Sequence, residues 1–155
     1  MDISLQHFDD VLTPDLLREM LRLASGYRKR ARTFGGTRVG AVVMASTGEL
    51  YGGCNIEHRW RCHDIHAEIS AISAMVAAGR SRMRAIVVVA NRLGLAPCGG
   101  CVDWIYEFGG PSCSVGWQNP DQPDPVLYSA RELMPLYPDV VPAVAIGGAP
   151  CDEST

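Results

Sequence analysis

With 155 residues, 47% of them hydrophobic and 20% charged, the chain has the composition of one globular domain with a substantial core. A net charge of −3 excludes a general attraction to nucleic acid or anionic membrane, and no apolar run reaches the roughly 18 residues of a membrane span. Met1-Asp2-Ile3-Ser4 lacks the charged-then-apolar layout of a secretory signal, so a cytoplasmic location is expected.

Thr13-Pro14-Asp15 opens a first helix: the threonine suits the cap, the proline the first helical position and the aspartate the positive helix end. Leu17, Met20, Leu21 and Ala24 then share an apolar face, and Gly26 marks the expected end. Val39 to Ala45 reads as a buried strand, Ser46-Thr47-Gly48-Glu49 as a turn, and Leu50 to Asn55 as the returning strand of a hairpin. A second helix is expected from Asp64 or Ile65, with Ile65, Ile69, Ile72 and Val76 as its apolar stripe and Gly79 at its end. The Ile-Val-Val-Val run within Ala85 to Ala90 suits a strand covered on both faces. A third helix begins at Cys98, places Cys98, Cys101, Val102 and Ile105 on one face, and stops at Gly109-Gly110-Pro111. Ser112 to Trp117 reads as a strand, Asn119 to Pro125 as a loop, Val126 to Tyr128 as a short strand and Ala130 to Leu136 as a last helix. This alternation predicts an α/β fold, a three-layer α/β/α sandwich around one mixed sheet. One domain is expected over residues 1–155, with 139–155 as a loosely ordered tail.

Chemistry concentrates in His66-Ala67-Glu68 and Pro97-Cys98-Gly99-Gly100-Cys101. Cys98 and Cys101 are one helical turn apart, so both sulfurs face one point. Alone, that spacing also fits a redox motif or chance. Alone, His66 reads as a satisfied polar side chain and Glu68 as a charge favoured by the helix dipole. Together, at the heads of two helices, they offer three zinc ligands and a carboxylate that need not ligate. A structural zinc closes with four protein ligands, whereas a catalytic one keeps a position for water. The set therefore points to Zn²⁺ as cofactor and to hydrolysis with Glu68 as acid/base. Two thiolates and a neutral imidazole leave the site formally neutral, which favours a more acidic water than three thiolates would. The pattern H-x-E…P-C-x-x-C is that of the zinc-dependent nucleobase deaminases. Of the six cysteines, Cys54, Cys62, Cys113 and Cys151 are left over and read as small buried or surface thiols.

On these residues the chain resembles the cytidine deaminase family. Gly53-Cys54-Asn55-Ile56-Glu57 is similar to that family's G-C-N-I-E segment, at the same distance before the His/Cys-Ala-Glu triplet. Val39-Gly40-Ala41 resembles its V-G-A strand, and Pro97 to Cys101 its P-C-G-x-C. Tyr106-Glu107-Phe108 and Arg131 to Pro135 fall where related segments do, so the resemblance covers residues 14–138. It implies a cytidine deaminase-like fold and hydrolysis of cytidine, deoxycytidine or a modified cytosine nucleoside to the uracil form with release of ammonia. It implies zinc on His66, Cys98 and Cys101, catalysis by Glu68, sugar hydroxyls on Asn55 and Glu57, and substrate at Ala67. It also implies a homotetramer, or a homodimer, whose partner is a small nucleoside rather than a membrane or a nucleic acid.

Departures from the family pattern bear on the substrate. The short-chain members usually have Cys at His66 and often Arg at Ile69; an Arg would offset the charge of a third thiolate, which a His ligand removes. Thr37 stands where Phe often packs on the base, and Val102-Asp103 where Arg-Gln is common. The loop His58-Arg59-Trp60-Arg61-Cys62-His63 replaces a small, polar segment. Its two arginines read first as solvated surface and second as receivers of an anionic substituent, as on an acidic or antibiotic-type cytosine nucleoside. Purine nucleosides or bases, and tRNA or single-stranded nucleic acid, are the other substrate classes; a pI near 5.7 disfavours the last two. A non-enzymatic alternative, a structural zinc domain, needs a fourth ligand, for which His63 is the candidate. Trp60, Trp104 and Trp117 serve either contact surface or core.

Overall fold

Thr13 caps the first helix, α1 (Pro14–Arg28), by accepting the Leu16 N–H at 3.3 Å. The structure, a computed structural model, describes residues 11–137; the tail expected at 139–155 lies outside them. After α1 come β1 (Val39–Ala45), β2 (Leu50–Cys54), a 3₁₀ turn (Arg61–His63), α2 (Ala67–Ala77), β3 (Met83–Ala90), α3 (Gly99–Gly109), β4 (Ser114–Gln118), β5 (Val126–Ser129) and the single turn α4 (Ala130–Leu133).

The five strands form one mixed sheet in the order β2-β1-β3-β4-β5. Only β3 and β4 run parallel, because α3 carries the chain back between them; the other neighbours are antiparallel. Alternation along the central strands divides the core. Val42, Met44, Val87 and Val89 face Met20 and Ala24 of α1. Ala41, Val43, Ile86 and Val88 face Ala71, Ile72 and Met75 of α2 and Ile105 of α3. These are the expected three layers, and they explain why β1 and most of β3 are apolar at every position.

Several element-level expectations are corrected. Gly26 does not end α1, which runs to Arg28 because its last turn has tertiary partners. Tyr27 lies so close over Gly52 that a Cβ there would sit 1.9 Å from its ring, and Arg28 Nη1 donates to the Ala90 carbonyl at 3.0 Å. The second helix starts at Ala67, not Asp64 or Ile65, and its buried stripe is Ala67, Ala71, Ile72 and Met75. Of the expected stripe only Ile72 is buried; Ile65 and Val76 are exposed. The close approach of α2 to β2 selects small residues for the inward face. Strand β4 starts at Ser114 rather than Ser112, and α4 ends at Leu133 rather than Leu136. Trp117 belongs to the core, whereas Trp60 and Trp104 are exposed.

Candidate active site

The two chemistry-bearing motifs occupy equivalent positions. His66 is the N-cap of α2 and Cys98 the N-cap of α3, both with extended backbone, and neither caps with its side chain. Their side chains are left to project toward a common point, near two positive helix ends that favour thiolate. His66 Nδ1 stands 3.2 Å from Cys101 Sγ and 3.5 Å from Cys98 Sγ, and the two sulfurs are 3.6 Å apart. Zinc bonds of about 2.0 Å to nitrogen and 2.3 Å to sulfur in a tetrahedron require separations of about 3.5 to 3.8 Å. Two of the three separations meet that range and the His66–Cys101 one is slightly shorter, so the three side chains suit zinc in donor type and lie close to its spacing. Among the described residues they are the only such cluster. His63 is not part of it; its ring meets His58 edge-on, so the fourth ligand that a purely structural site needs is not supplied from there.

Cys101 is buried, and burial first, then the neighbouring Glu68 and Cys98, push its thiol up. A cation among these groups is what would hold it as thiolate. Glu68, one residue into α2, is 4% exposed. Burial pushes its carboxyl above the ordinary range, opposed by its own backbone N–H and by His66.

A cavity of about 260 Å³ opens beside these groups. His66, Ala67, Glu68 and Cys98 line it together with Asn55 and Glu57, so of the expected site residues only Cys101 is set behind its wall. Asn55 is held by the chain entering β1: its Oδ1 accepts the Val39 N–H at 2.8 Å and its Nδ2 donates to the Thr37 carbonyl at 2.9 Å. Glu57 accepts the Gly35 N–H at 2.9 Å and the Phe34 N–H. Those two donors, and then Arg61, hold its carboxyl below the usual carboxylate range.

Thr37 lines the cavity, whereas Phe34, nearby in sequence, is 62% exposed and carries Arg32 over its ring. Of the two loop arginines, Arg61 lines the cavity but is committed to Glu57 (3.1 Å) and Asp64 (2.7 Å). Arg59 is not in the lining and lies over Trp60. Val39, Asp64, Ile65, Arg92, Leu95 and Ala96 complete the wall, and none of them was assigned to the site from the sequence. The signal available for the last three was their place in the loop leading to Pro97-Cys98. Cys54, Cys62 and Cys113 are unpaired; Cys113 is buried, and burial pushes its thiol up to about 12. Cys151 lies outside the described residues.

Residues 15–117 match the family model described as the cytidine and deoxycytidylate deaminase zinc-binding region. The cytidine deaminase of Sporosarcina psychrophila is 39% identical over 71 residues, which are 45% of this chain and 52% of that protein. That of Shewanella pealeana is 39% identical over 72 residues, 23% of its length. The chain thus spans about half or less of these relatives. Among solved structures, the cytidine deaminase of Burkholderia pseudomallei superposes with a TM-score of 0.72 at 31% identity, covering 76% of this chain and 95% of that one. The cytidine deaminase of Mycobacterium leprae gives 0.66 at 27% identity, covering 76% and 96%.

Proposed function

The chain belongs to the cytidine and deoxycytidylate deaminase family, with Zn²⁺ as its cofactor, and on that premise we propose that it hydrolyses the amino group of a cytosine nucleoside, releasing ammonia and the uracil form. The observation that carries this reading is a buried carboxyl, Glu68, sharing one small cavity with the His66/Cys98/Cys101 cluster and with the polar pair Asn55 and Glu57.

In this reading His66, Cys98 and Cys101 hold the zinc. Bound there, zinc supplies Lewis acidity that makes water nucleophilic near neutral pH. Glu68 takes a proton from the attacking water and delivers it to the ring nitrogen. It then carries the second water proton to the departing amine, so that water and the amino compound become carbonyl compound and ammonia. A carboxyl buried in the cavity beside the His66/Cys98/Cys101 cluster is placed to hold a proton between those two deliveries. Asn55 and Glu57 hold the sugar hydroxyls, and Ala67 supplies backbone beside the base. Glu57 meets Arg61 and two N–H groups, so it is ionised and ready to accept from a hydroxyl.

A cytoplasmic location belongs to the same proposal, since a reducing compartment keeps Cys98 and Cys101 available as metal ligands. So does assembly into a homotetramer, or failing that a homodimer. The deciding experiment is a zinc-replete Glu68→Gln variant assayed for ammonia release from cytidine. Retained zinc with turnover reduced at least about 100-fold, in keeping with loss of an acid/base, supports the reading. Unchanged turnover, or a wild-type protein that releases no ammonia from any cytosine nucleoside, overturns it.

A further inference from the structure

We propose that Arg92 makes this cavity selective for cytosine nucleosides whose sugar carries an anionic oxygen group, a phosphate or a carboxylate. The proposal rests on the deaminase reading and deepens it.

The cavity's charges are unevenly committed. Arg61 serves Glu57 and Asp64, and Glu68 is buried against the metal cluster. The nearby cations are also engaged: Arg28 with the Ala90 carbonyl, Arg32 with that of Glu57 and Arg38 with that of Ala31. Arg92 lines the same cavity, is exposed, and forms no hydrogen bond, ion pair or ring contact among the described residues. Its guanidinium is therefore the one cationic group of the wall left for a ligand.

The backbone that carries it is braced. Asn91 N–H donates to the Arg38 carbonyl at 3.1 Å, and Asn91 Oδ1 accepts the Arg38 N–H at 2.7 Å. Asn91 Nδ2 donates to the Gly36 carbonyl at 3.0 Å. At the other end of the loop Asn119 Nδ2 donates to the Leu95 carbonyl at 3.0 Å. An arginine fork on a fixed loop matches two oxygens of one phosphate or carboxylate, and the partner it would meet must be attached to whatever Asn55 and Glu57 hold. Arg59 and Arg61 are not suited to this task, the first because it is outside the lining and the second because it is already paired.

The test uses zinc-loaded full-length protein with cytidine, cytidine 5′-monophosphate and a cytidine analogue bearing a 5′-carboxylate. Ammonia release and calorimetric binding are measured for wild type, Arg92→Gln and Arg59→Gln. The expected result is that Arg92→Gln lowers the preference for an anionic compound over cytidine by about 10- to 100-fold, the range of a charge-assisted pair. Arg59→Gln, which removes the same charge outside the cavity, leaves that preference in place. Which of the two anionic compounds loses more identifies phosphate or carboxylate as the group. A preference unchanged by Arg92→Gln, or lost equally with Arg59→Gln, overturns the proposal even if cytidine is deaminated. If no compound releases ammonia but anion binding still depends on Arg92, the deaminase reading falls and the anion site stands. If nothing binds, both fall.

Discussion

Gly53 of β2 meets Ala71 of α2 backbone to backbone: a Cβ at position 53 would lie 2.4 Å from the Ala71 amide nitrogen. That contact sets how deeply α2 seats on the sheet. The seat in turn places His66 and Glu68, at the head of the helix, beside Asn55, which follows β2 directly. Gly53→Ala should therefore push the helix outward and cost about 1 to 3 kcal/mol, the usual penalty of overpacking. It should also reduce zinc occupancy, because His66 moves with the helix while Cys98 and Cys101 stay on α3. Urea unfolding and metal analysis on the same sample check this. Normal stability with full zinc would show that the contact does not position the site.

Zinc should stabilise the fold as well as serve the chemistry. A ligand that binds only the folded state contributes about 4 kcal/mol at a thousand times its dissociation constant. Chelation should thus lower the melting temperature of the wild type. Cys101→Ser, which replaces the buried member of the cluster, should show little further drop on chelation. An equal drop in both proteins would place the metal elsewhere.

Much of the candidate site was legible in the sequence because the side chains that could hold a metal sit in the first turns of two helices. Pro97 before Cys98 marks one such start, and the one-turn spacing of Cys98 and Cys101 forces them together wherever that helix packs. The strands were legible because β1 and β3 are buried on both faces and so carry unbroken apolar runs. The phase of α2 was not. Large apolar residues suggested Ile65, Ile69, Ile72 and Val76, but the closeness enforced at Gly53 turns the alanines inward. Gly26 misled for a related reason: the residues that carry α1 past it, Tyr27 and Arg28, find their partners on β2 and β3. For Arg92 the sequence offered only its place in the loop before Pro97-Cys98; that it lines the cavity depends on that loop being pinned by long-range bonds, from Asn91 to Arg38 and Gly36 and from Asn119 to Leu95.

Glu57 should make stability depend on pH. Its folded pKa lies below the ordinary value of 4.5, chiefly through the Gly35 and Phe34 N–H groups and less through Arg61. A depressed carboxyl contributes stability that is fully present above its unfolded pKa and is lost as pH falls through the folded one. The difference in stability between wild type and Glu57→Gln should therefore be largest near neutrality. It should shrink as pH drops below about 4.5. Thermal melts of both proteins across that range decide; a difference that stays constant would mean the carboxylate charge is not what Gly35 and Phe34 hold.

Asn55 should prove to have two separable duties. Its amide oxygen and nitrogen are both bound by backbone, at Val39 and Thr37, while its own N–H and carbonyl pair with Val39 and Arg32. It thus ties the entry of β1 and the end of β2 into one wall of the cavity. An amide can accept two hydrogen bonds and donate two, so each end keeps one site for a sugar hydroxyl. Asn55→Ala leaves the Val39 N–H and Thr37 carbonyl without their partner, which should cost about 1 to 3 kcal/mol in unfolding. It should also raise KM for a cytosine nucleoside more than it lowers kcat, because Glu68 and the metal cluster do not depend on Asn55 for a hydrogen bond. Asn55→Asp keeps the acceptor for Val39 but sets a carboxylate against the Thr37 carbonyl, so it should be destabilised as well. Steady-state kinetics and urea unfolding on the two variants separate the duties. A KM effect without a stability loss would reduce Asn55 to a substrate contact, and a stability loss without a KM effect would reduce it to a brace.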